Sequence, residues 1–296
     1  MAHDWSHSRW PRVVRYVGGV ASSSLVAGAA TAPFAAVHFN QVPHFGLIAN
    51  MAAVPVMGAV VIPGAVLSAV LAPFGLEGVG FATMAPAIAW ILSVADTVAG
   101  WPGALSLVPS PERGALPLLG LAGVVIVLWQ GRARWLGLAP LAAAMVLWVG
   151  AERPAILISD TGGLVGVLGP EGRALSKPRG DGFSALSWLE NDGDGAEQAA
   201  AFTRWSDDQD GKIRHVSYKG FDVLHACGKV ASARAVELCR SADLVVVTID
   251  TAGPEACNIY DRTRLRATGS LAIAVGSDGA TVTTARARQG ARLWSQ

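Results

Sequence analysis

From Tyr16 to Leu76 the chain reads YVGGVASSSLVAGAATAPFAAVHFNQVPHFGLIANMAAVPVMGAVVIPGAVLSAVLAPFGL, without one Asp, Glu, Lys or Arg. An uncharged run of that length has no face that water could solvate, so it reads as membrane-embedded helix. The same deficit extends outward. The charged residues before Glu152 are Asp4, Arg9, Arg12, Arg15, Glu77, Asp96, Glu112, Arg113, Arg132 and Arg134. All the other charges among the 23 basic and 22 acidic residues of this 296-residue chain lie from Glu152 onward. Overall 52% of the chain is hydrophobic and 15% charged, against about 25% charged in a soluble domain. The reading is a polytopic α-helical membrane domain over residues 1–151, followed by a soluble α/β or α+β domain over residues 152–296. The second part is long enough for a core of its own. A net charge of +1 excludes the global basicity of a nucleic-acid coat protein.

Five apolar segments divide the first part: Val17–His38, Phe45–Phe74, Val79–Val98, Ala115–Trp129 and Trp135–Val149. Crossing about 30 Å of hydrocarbon takes about 20 helical residues. The first and third segments fit. The second, interrupted by Pro55 and Pro63, is too long for one straight helix, and the last two are short. Arg9, Arg12 and Arg15 precede the first span, and Arg132 and Arg134 separate the last two. Both clusters belong on the cytoplasmic side by the positive-inside tendency. The segments between must then cross an even number of times, either as two spans or as a re-entrant hairpin with a surface-lying helix. The soluble domain is expected outside the cytoplasmic membrane, in the periplasm. Trp101, Trp129, Trp135 and Trp148 fall at segment ends, as an aromatic belt requires. The first segment is longer than a signal-peptide core and another span follows it, so it reads as a span.

Several features exceed generic lipid-facing sequence. Ser22, Ser23, Ser24, Ala27, Gly28, Ala29 and Ala30 form a small-residue face suited to close helix packing. The polar island from His38 to His44 reads as a loop. Asn50, inside an apolar run, should face protein or water, because a polar side chain is costly in lipid. Pro55 and Pro63 each remove a helix hydrogen bond, so the backbone there should be buried in protein or line a cavity. Asp96 forms a polar stripe with Thr83, Ser93 and Thr97. His38, Asn50, Pro55, Pro63 and Asp96 are therefore the candidates for a channel lining or a packing face.

These residues also carry a resemblance. Ala30-Thr31-Ala32-Pro33-Phe34 through His38-Phe39, then Gly46-Leu47-Ile48-Ala49-Asn50-Met51-Ala52-Ala53-Val54-Pro55-Val56, resembles the membrane competence domain of the ComEC-type DNA-internalisation proteins. Trp101-Pro102-Gly103 stands where that family has a Trp/Pro connector. The second half resembles the tail of the family's proteobacterial branch at Cys239–Val246, Cys257–Arg262, Leu265–Ala272 and Arg292-Leu293-Trp294. The resemblance implies a component of a DNA-uptake channel in the bacterial inner membrane, passing single-stranded DNA in transformation. Its partners would be the bilayer, other uptake components or an N-terminal portion with an OB-like domain, and further copies of the chain. Many members end in a metallo-β-lactamase-like domain, whose activity needs a His-x-His-x-Asp-His cluster to hold two metal ions. The soluble half has only His215 and His225, ten residues apart in sequence. Asp160-Thr161-Gly162-Gly163 is similar to the Asp-Thr-Gly turn of that fold. The expectation is a protein without enzymatic activity, metal or cofactor; a membrane-anchored periplasmic binding or scaffolding protein is the alternative.

Read from its own residues, the soluble domain offers strands at Ala155–Ser159 and Leu164–Leu168 around a Gly-rich turn, and at Val216–Tyr218, Val223–His225 and Leu244–Ile249. A last hairpin is expected at Ala272–Val275 and Ala280–Thr284 around Ser277-Asp278-Gly279. Helices are expected at Phe183–Glu190, Ala196–Phe202 and Ser232–Ser241. The acids of Asn191-Asp192-Gly193-Asp194-Gly195 lack the spacing of a calcium loop. His225 and Cys227 are near neighbours, and the plain reading is a partly buried thiol. Arg262, Arg264 and Arg266, with Arg286, Arg288 and Arg292, could hold DNA phosphates or form a solvated face. Cys239 ends the helix, Cys257 follows the strand after Gly253-Pro254, and an oxidising compartment would join them. Cys227 lies before the helix, about 15 Å from its end by helical rise, and stays free.

Overall fold

The computed structural model describes residues 11–205, 213–251, 257–276 and 279–290. They form two compact units, Met1–Leu107 with Arg113–Met145, and Val108–Glu112 with Val146–Gln296. Among the described residues, Val14–Phe39, Gly46–Phe74, Glu77–Ala99 and Gly131–Val149 are long and apolar enough to cross a membrane, and Ala115–Leu128 is shorter.

Helix α1 (Arg12–Phe39) ends on Asn40, whose left-handed φ of 55° stops the helix. Asparagine tolerates that conformation. The polar island that follows is structured. Strand β1 (Gln41–Pro43) pairs antiparallel with β2 (Leu105–Leu107), His44 Nε2 lies 2.6 Å from Ser106 Oγ, and the Phe45 and Trp101 rings meet edge-on at 5.3 Å. This ribbon gathers the end of α1, the start of α2 (Gly46–Val56) and the end of α4 (Glu77–Ala99). The chain between must therefore go out and come back.

The second apolar segment does so without breaking. α2 passes into a π turn at Met57–Val61 and on into α3 (Ile62–Leu71) and a 3-10 turn at Ala72–Phe74. The Ile62 N–H donates to Met57 O, the widened pattern of a π turn. Pro63 cannot donate, and its ring crowds the carbonyl one α-turn back. The wide turn immediately before it relieves that conflict, which is why the proline bends the register of one rod and does not divide it. α3 then packs against α4 where both lack side chains. A Cβ on Gly80 would stand 2.5 Å from Gly64 O and 2.6 Å from Ser68 N; one on Gly64 would stand 2.6 Å from Met84 Cγ. Small residues four apart, Gly64 and Ser68, let the backbones approach.

α5 (Ala115–Leu128) is about 21 Å long by helical rise. A 3-10 stretch at Gly131–Gly137 returns along it and continues into α6 (Leu138–Val149), together about 32 Å. Extension by that tighter turn makes the fifth segment long enough to span. Gly137 is seated against Ala122 O and Ile126. The small-residue face of α1 is a correction: only Ser24 is buried, and nothing lies within 4 Å of a Cβ placed on Gly28.

The second unit is a sandwich. One sheet has the order β11-β10-β3-β4-β5, all antiparallel, from β3 (Ile156–Ile158), β4 (Val165–Gly169), β5 (Gly172–Leu175), β10 (Leu271–Gly276) and β11 (Gly279–Thr284). The other has the order β6-β7-β8-β9, from β6 (Ile213–Tyr218), β7 (Phe221–Ala226), β8 (Leu244–Val247) and β9 (Ile259–Tyr260), with β7, β8 and β9 parallel. Ile156, Ile158, Val165, Leu271 and Ile273 meet Val223, Leu244, Val246 and Tyr260 between the sheets. The alternate residues Val245 and Val247 turn outward to Ala231 and Ala235 of α9 (Lys229–Glu237). That is why all four residues of β8 are buried. On the other outer face Leu164 and Leu175 pack under α7 (Gly182–Asn191) and α8 (Gln198–Thr203). The layers are helix, sheet, sheet, helix. Cys239, in a 3-10 turn after α9, is bonded to Cys257 with a Cα–Cα separation of 5.8 Å, and Cys227 is free. The Gly253-Pro254 turn, residues 277 and 278 of the last hairpin turn, and Arg292 lie outside the described residues.

The Asn191–Gly195 loop is built on arginines. Arg173, fully buried, donates from Nε to Asp192 Oδ2 at 2.6 Å, from Nη2 to Asp192 Oδ1 at 3.2 Å and Pro154 O at 3.2 Å, and from Nη1 to Gly166 O at 3.3 Å. Arg204 pairs with Asp194.

Candidate anion-binding cleft

At one end of the sandwich the loops after β3, β5, β7 and β8 converge with the start of α10 (Arg262–Thr268). The turn Ser159–Gly163 is closed by Gly162 N–H donating to Ser159 O at 3.0 Å and Leu164 N–H donating to Ser159 Oγ at 3.0 Å. Gly162 has φ +68°, and a Cβ there would stand 2.9 Å from Leu265 Cδ1 and 3.1 Å from Val247 O. Only glycine allows this approach. Thr161 donates to Asp181 Oδ1 at 2.5 Å and accepts from Gly163 N–H at 3.0 Å, which ties the β5 loop to the turn.

Beneath the turn lies the histidine–cysteine pair. His225 Nε2 is 3.0 Å from Gly162 O and 3.3 Å from Cys227 Sγ. Burial pushes the His225 pKa down to about 4, and the Gly162 carbonyl only partly opposes this. The ring is neutral at pH 7. A neutral ring facing a carbonyl carries its proton on Nε2, the atom that also faces the thiol. That nitrogen cannot take the thiol's proton. Burial moreover pushes the Cys227 pKa up, against the influence of Lys177. The pair has the chemistry of a packed thiol, not of an activated nucleophile.

Above the turn, Asp160, Thr161, Thr248, Arg262 and Arg266 line a cleft of about 310 Å³. Arg262 and Arg266 stand four apart on α10 and so share a face. Neither makes a hydrogen bond or ion pair among the described residues. The neighbouring acids are engaged elsewhere: Asp261 Oδ1 accepts Arg264 N–H at 2.8 Å, and Asp250 Oδ1 accepts from Thr263 Oγ1 at 2.7 Å. Thr248 Oγ1 accepts Gly228 N–H at 3.0 Å, which leaves its own proton to donate. Two guanidinium groups and a hydroxyl against one carboxylate, Asp160, favour an anion with a hydrogen-bond donor on its flank.

The remaining expected positions are not brought together. Arg264 turns away from the cleft: its Nη1 donates to Asn258 Oδ1 at 3.1 Å and Ile259 O at 2.9 Å, and its guanidinium stacks on Tyr260 at 3.8 Å. Side chains two apart on a helix do not share a face, so α10 separates it from Arg262 and Arg266. Arg286 and Arg288 lie on α11 (Ala285–Gln289). In the membrane unit His38, Asn50, Pro63 and Asp96 are exposed and Pro55 is half-buried. Thr83 sits at the α3–α4 crossing, whereas Ser93, Asp96 and Thr97 face outward, so the polar stripe is divided. Sequence reasoning missed the Gly64–Ser68–Gly80 crossing, although its small-residue spacing was there to read. It also missed Arg173, for which no local signal exists. Among the described residues no three His, Cys, Asp or Glu side chains are grouped so as to hold a metal ion.

Apolar helices of spanning length joined to an α/β sandwich define a membrane protein with a sheet-containing domain. Residues 2–133, most of the membrane half, match the family model described as Competence protein. No curated protein and no solved structure matches it.

Proposed function

We propose that this chain is the membrane component of a DNA-uptake apparatus in the bacterial cytoplasmic membrane, passing single-stranded DNA inward without covalent chemistry. The match of residues 2–133 to the competence family carries this reading. The soluble domain lies outside, with Arg9, Arg12, Arg15, Arg132 and Arg134 inside. Two observations support that topology. Val108–Glu112 and Val146–Gln296, which flank the α5–α6 hairpin, fold as one unit, as segments on one side of a membrane can. The Cys239–Cys257 bond is of the kind that persists in an oxidising compartment. Arg262 and Arg266 contact the incoming phosphates.

A second reading, a periplasmic binding or scaffolding domain on a membrane anchor, draws on one observation. Asn50, Pro63 and Asp96 face outward, so a single chain does not gather them around a path. Transformation separates the two readings. Deleting the locus in a competent host should abolish uptake of exogenous DNA, and unchanged transformation would overturn the channel. Complementation with residues 152–296 on an unrelated transmembrane helix should fail for a channel and succeed for an anchored scaffold. A C-terminal alkaline phosphatase fusion should be active; an inactive fusion beside a fluorescent C-terminal green fluorescent protein would reverse the orientation.

A further inference from the structure

We infer that the outer face of α7, formed by Phe183 and Leu186, rests in the interfacial layer of a phospholipid bilayer. The helix is apolar on two sides. Ala185, Trp188 and Leu189 pack on the sheet, whereas Phe183 and Leu186, three residues apart on the other side, are 88% and 58% exposed. The core does not need this second apolar face, and water penalises it.

The occupant follows from what holds the far end of the helix. Ser110 N–H donates to Asn191 O at 2.9 Å, and Ser110 Oγ donates to Asn191 Oδ1 at 2.9 Å. Trp148 Nε1 donates to Pro109 O at 3.0 Å, and Gly193 is seated against Pro109. Trp148 closes the last turn of α6, a spanning-length helix, and Val108–Glu112 immediately precedes α5. The carboxyl end of α7 is therefore stapled to the place where the chain leaves the membrane, at an indole suited to the headgroup layer. At 1.5 Å per residue, Leu186 lies about 8 Å and Phe183 about 12 Å along the axis from Asn191. With α7 lying along the bilayer surface, both stand in the interfacial zone, which adds several Å to each side of the hydrocarbon. Arg179, exposed in the loop ahead of α7, suits anionic headgroups, and the acid of that loop, Asp181, is engaged by Thr161; Glu190, the helix's only charged residue, is half-buried at the stapled end.

Val230 supplies an internal control. It is 85% exposed, as bare as Phe183, but stands on α9, the outer layer of the opposite sheet. Full-length protein in a Cys227→Ser background should carry Phe183→Cys, Leu186→Cys or Val230→Cys, labelled with bimane and reconstituted in phosphatidylcholine–phosphatidylglycerol vesicles. Phospholipid bearing a nitroxide near the headgroup end of its acyl chain, present in both leaflets, should quench positions 183 and 186 at least twofold more than position 230. Equal quenching at all three overturns the proposal, whether α7 then stands in water, against a second copy or against a DNA strand. The test needs no DNA, so its failure leaves the uptake reading standing.

Discussion

The two units solve opposite problems with opposite residues. In the sandwich, Ile156, Ile158, Leu244, Val246, Leu271 and Ile273 are driven together by water, and bulk is what stabilises the contact. In the membrane unit, Val127 and Leu136 remain 76% and 72% exposed, and the tight places are Gly64, Gly80 and Gly137. Lipid is as apolar as a leucine, so nothing is gained there by hiding one. What remains is close approach of backbones, which bulk prevents. Buried polarity divides in the same way. The sandwich holds a full ion pair, Arg173 with Asp192, inside its protein core, whereas in the membrane unit Ser68 Oγ donates to Glu77 O at 3.1 Å within the hairpin.

The comparison can be broken at named residues. The largest effect is expected at the buried pair. Arg173→Met strands the Asp192 carboxylate and should destabilise the second unit by about 3–5 kcal/mol. Adding Asp192→Leu should restore much of that loss, because the pair as a whole offsets its own desolvation poorly. Denaturant unfolding followed by tryptophan fluorescence checks both; equal loss in single and double variants would mean the pair is not the cause. Cys239→Ser should cost the same unit about 3 kcal/mol in the chain-entropy view, visible as a lowered midpoint that reductant no longer shifts.

Acid sharpens the contrast further. His225 has a folded pKa of about 4 against about 6.5 unfolded, so between those values the unfolded chain binds more protons. Stability rises with pH across that window and is fully present above it. By pH 4 the loss should approach about 3 kcal/mol. His225→Gln, which can still donate to Gly162 O, should flatten the slope; an unchanged slope would place the acid sensitivity elsewhere.

In the membrane unit the sign of the size effect reverses. Gly80→Ala inserts a methyl group into the α3–α4 crossing and should cost about 1–3 kcal/mol, whereas Gly78→Ala, with open space around its Cβ, should be neutral or stabilising. Thermal melting in detergent compares them, and equal melting temperatures would remove the crossing as a stabilising contact. The smallest effect is at α10, where Asp261→Ala deletes the N-cap and should cost about 1 kcal/mol. A fall in phosphate-dependent melting shifts should accompany it, since Arg262 and Arg266 depend on that helix.

Some of this was legible one residue at a time. The uncharged run from Tyr16 to Leu76 required lipid, the β-branched run at Leu244–Val247 required a strand covered on both faces, and the positions of Cys239 and Cys257 allowed their pairing. Each rests on a cost paid locally, by desolvation, by χ1 crowding or by chain reach. The small-residue face of α1 was misread as packed, because a sequence shows that a helix can be approached closely but not what approaches it. The ribbon that joins Gln41–Pro43 to Leu105–Leu107, the continuity of the rod through Pro55 and Pro63, and the burial of Arg173 depend on partners more than fifteen residues away or on a ladder that yields by one widened turn. The arginine triplet shows the division most plainly. Its basicity was written at Arg262, Arg264 and Arg266, but a helix of 3.6 residues per turn sends the first and third into the cleft and the second onto Tyr260. Composition determined that the charge would be there; only the handed geometry of α10 against β9 decided which of it faces a ligand.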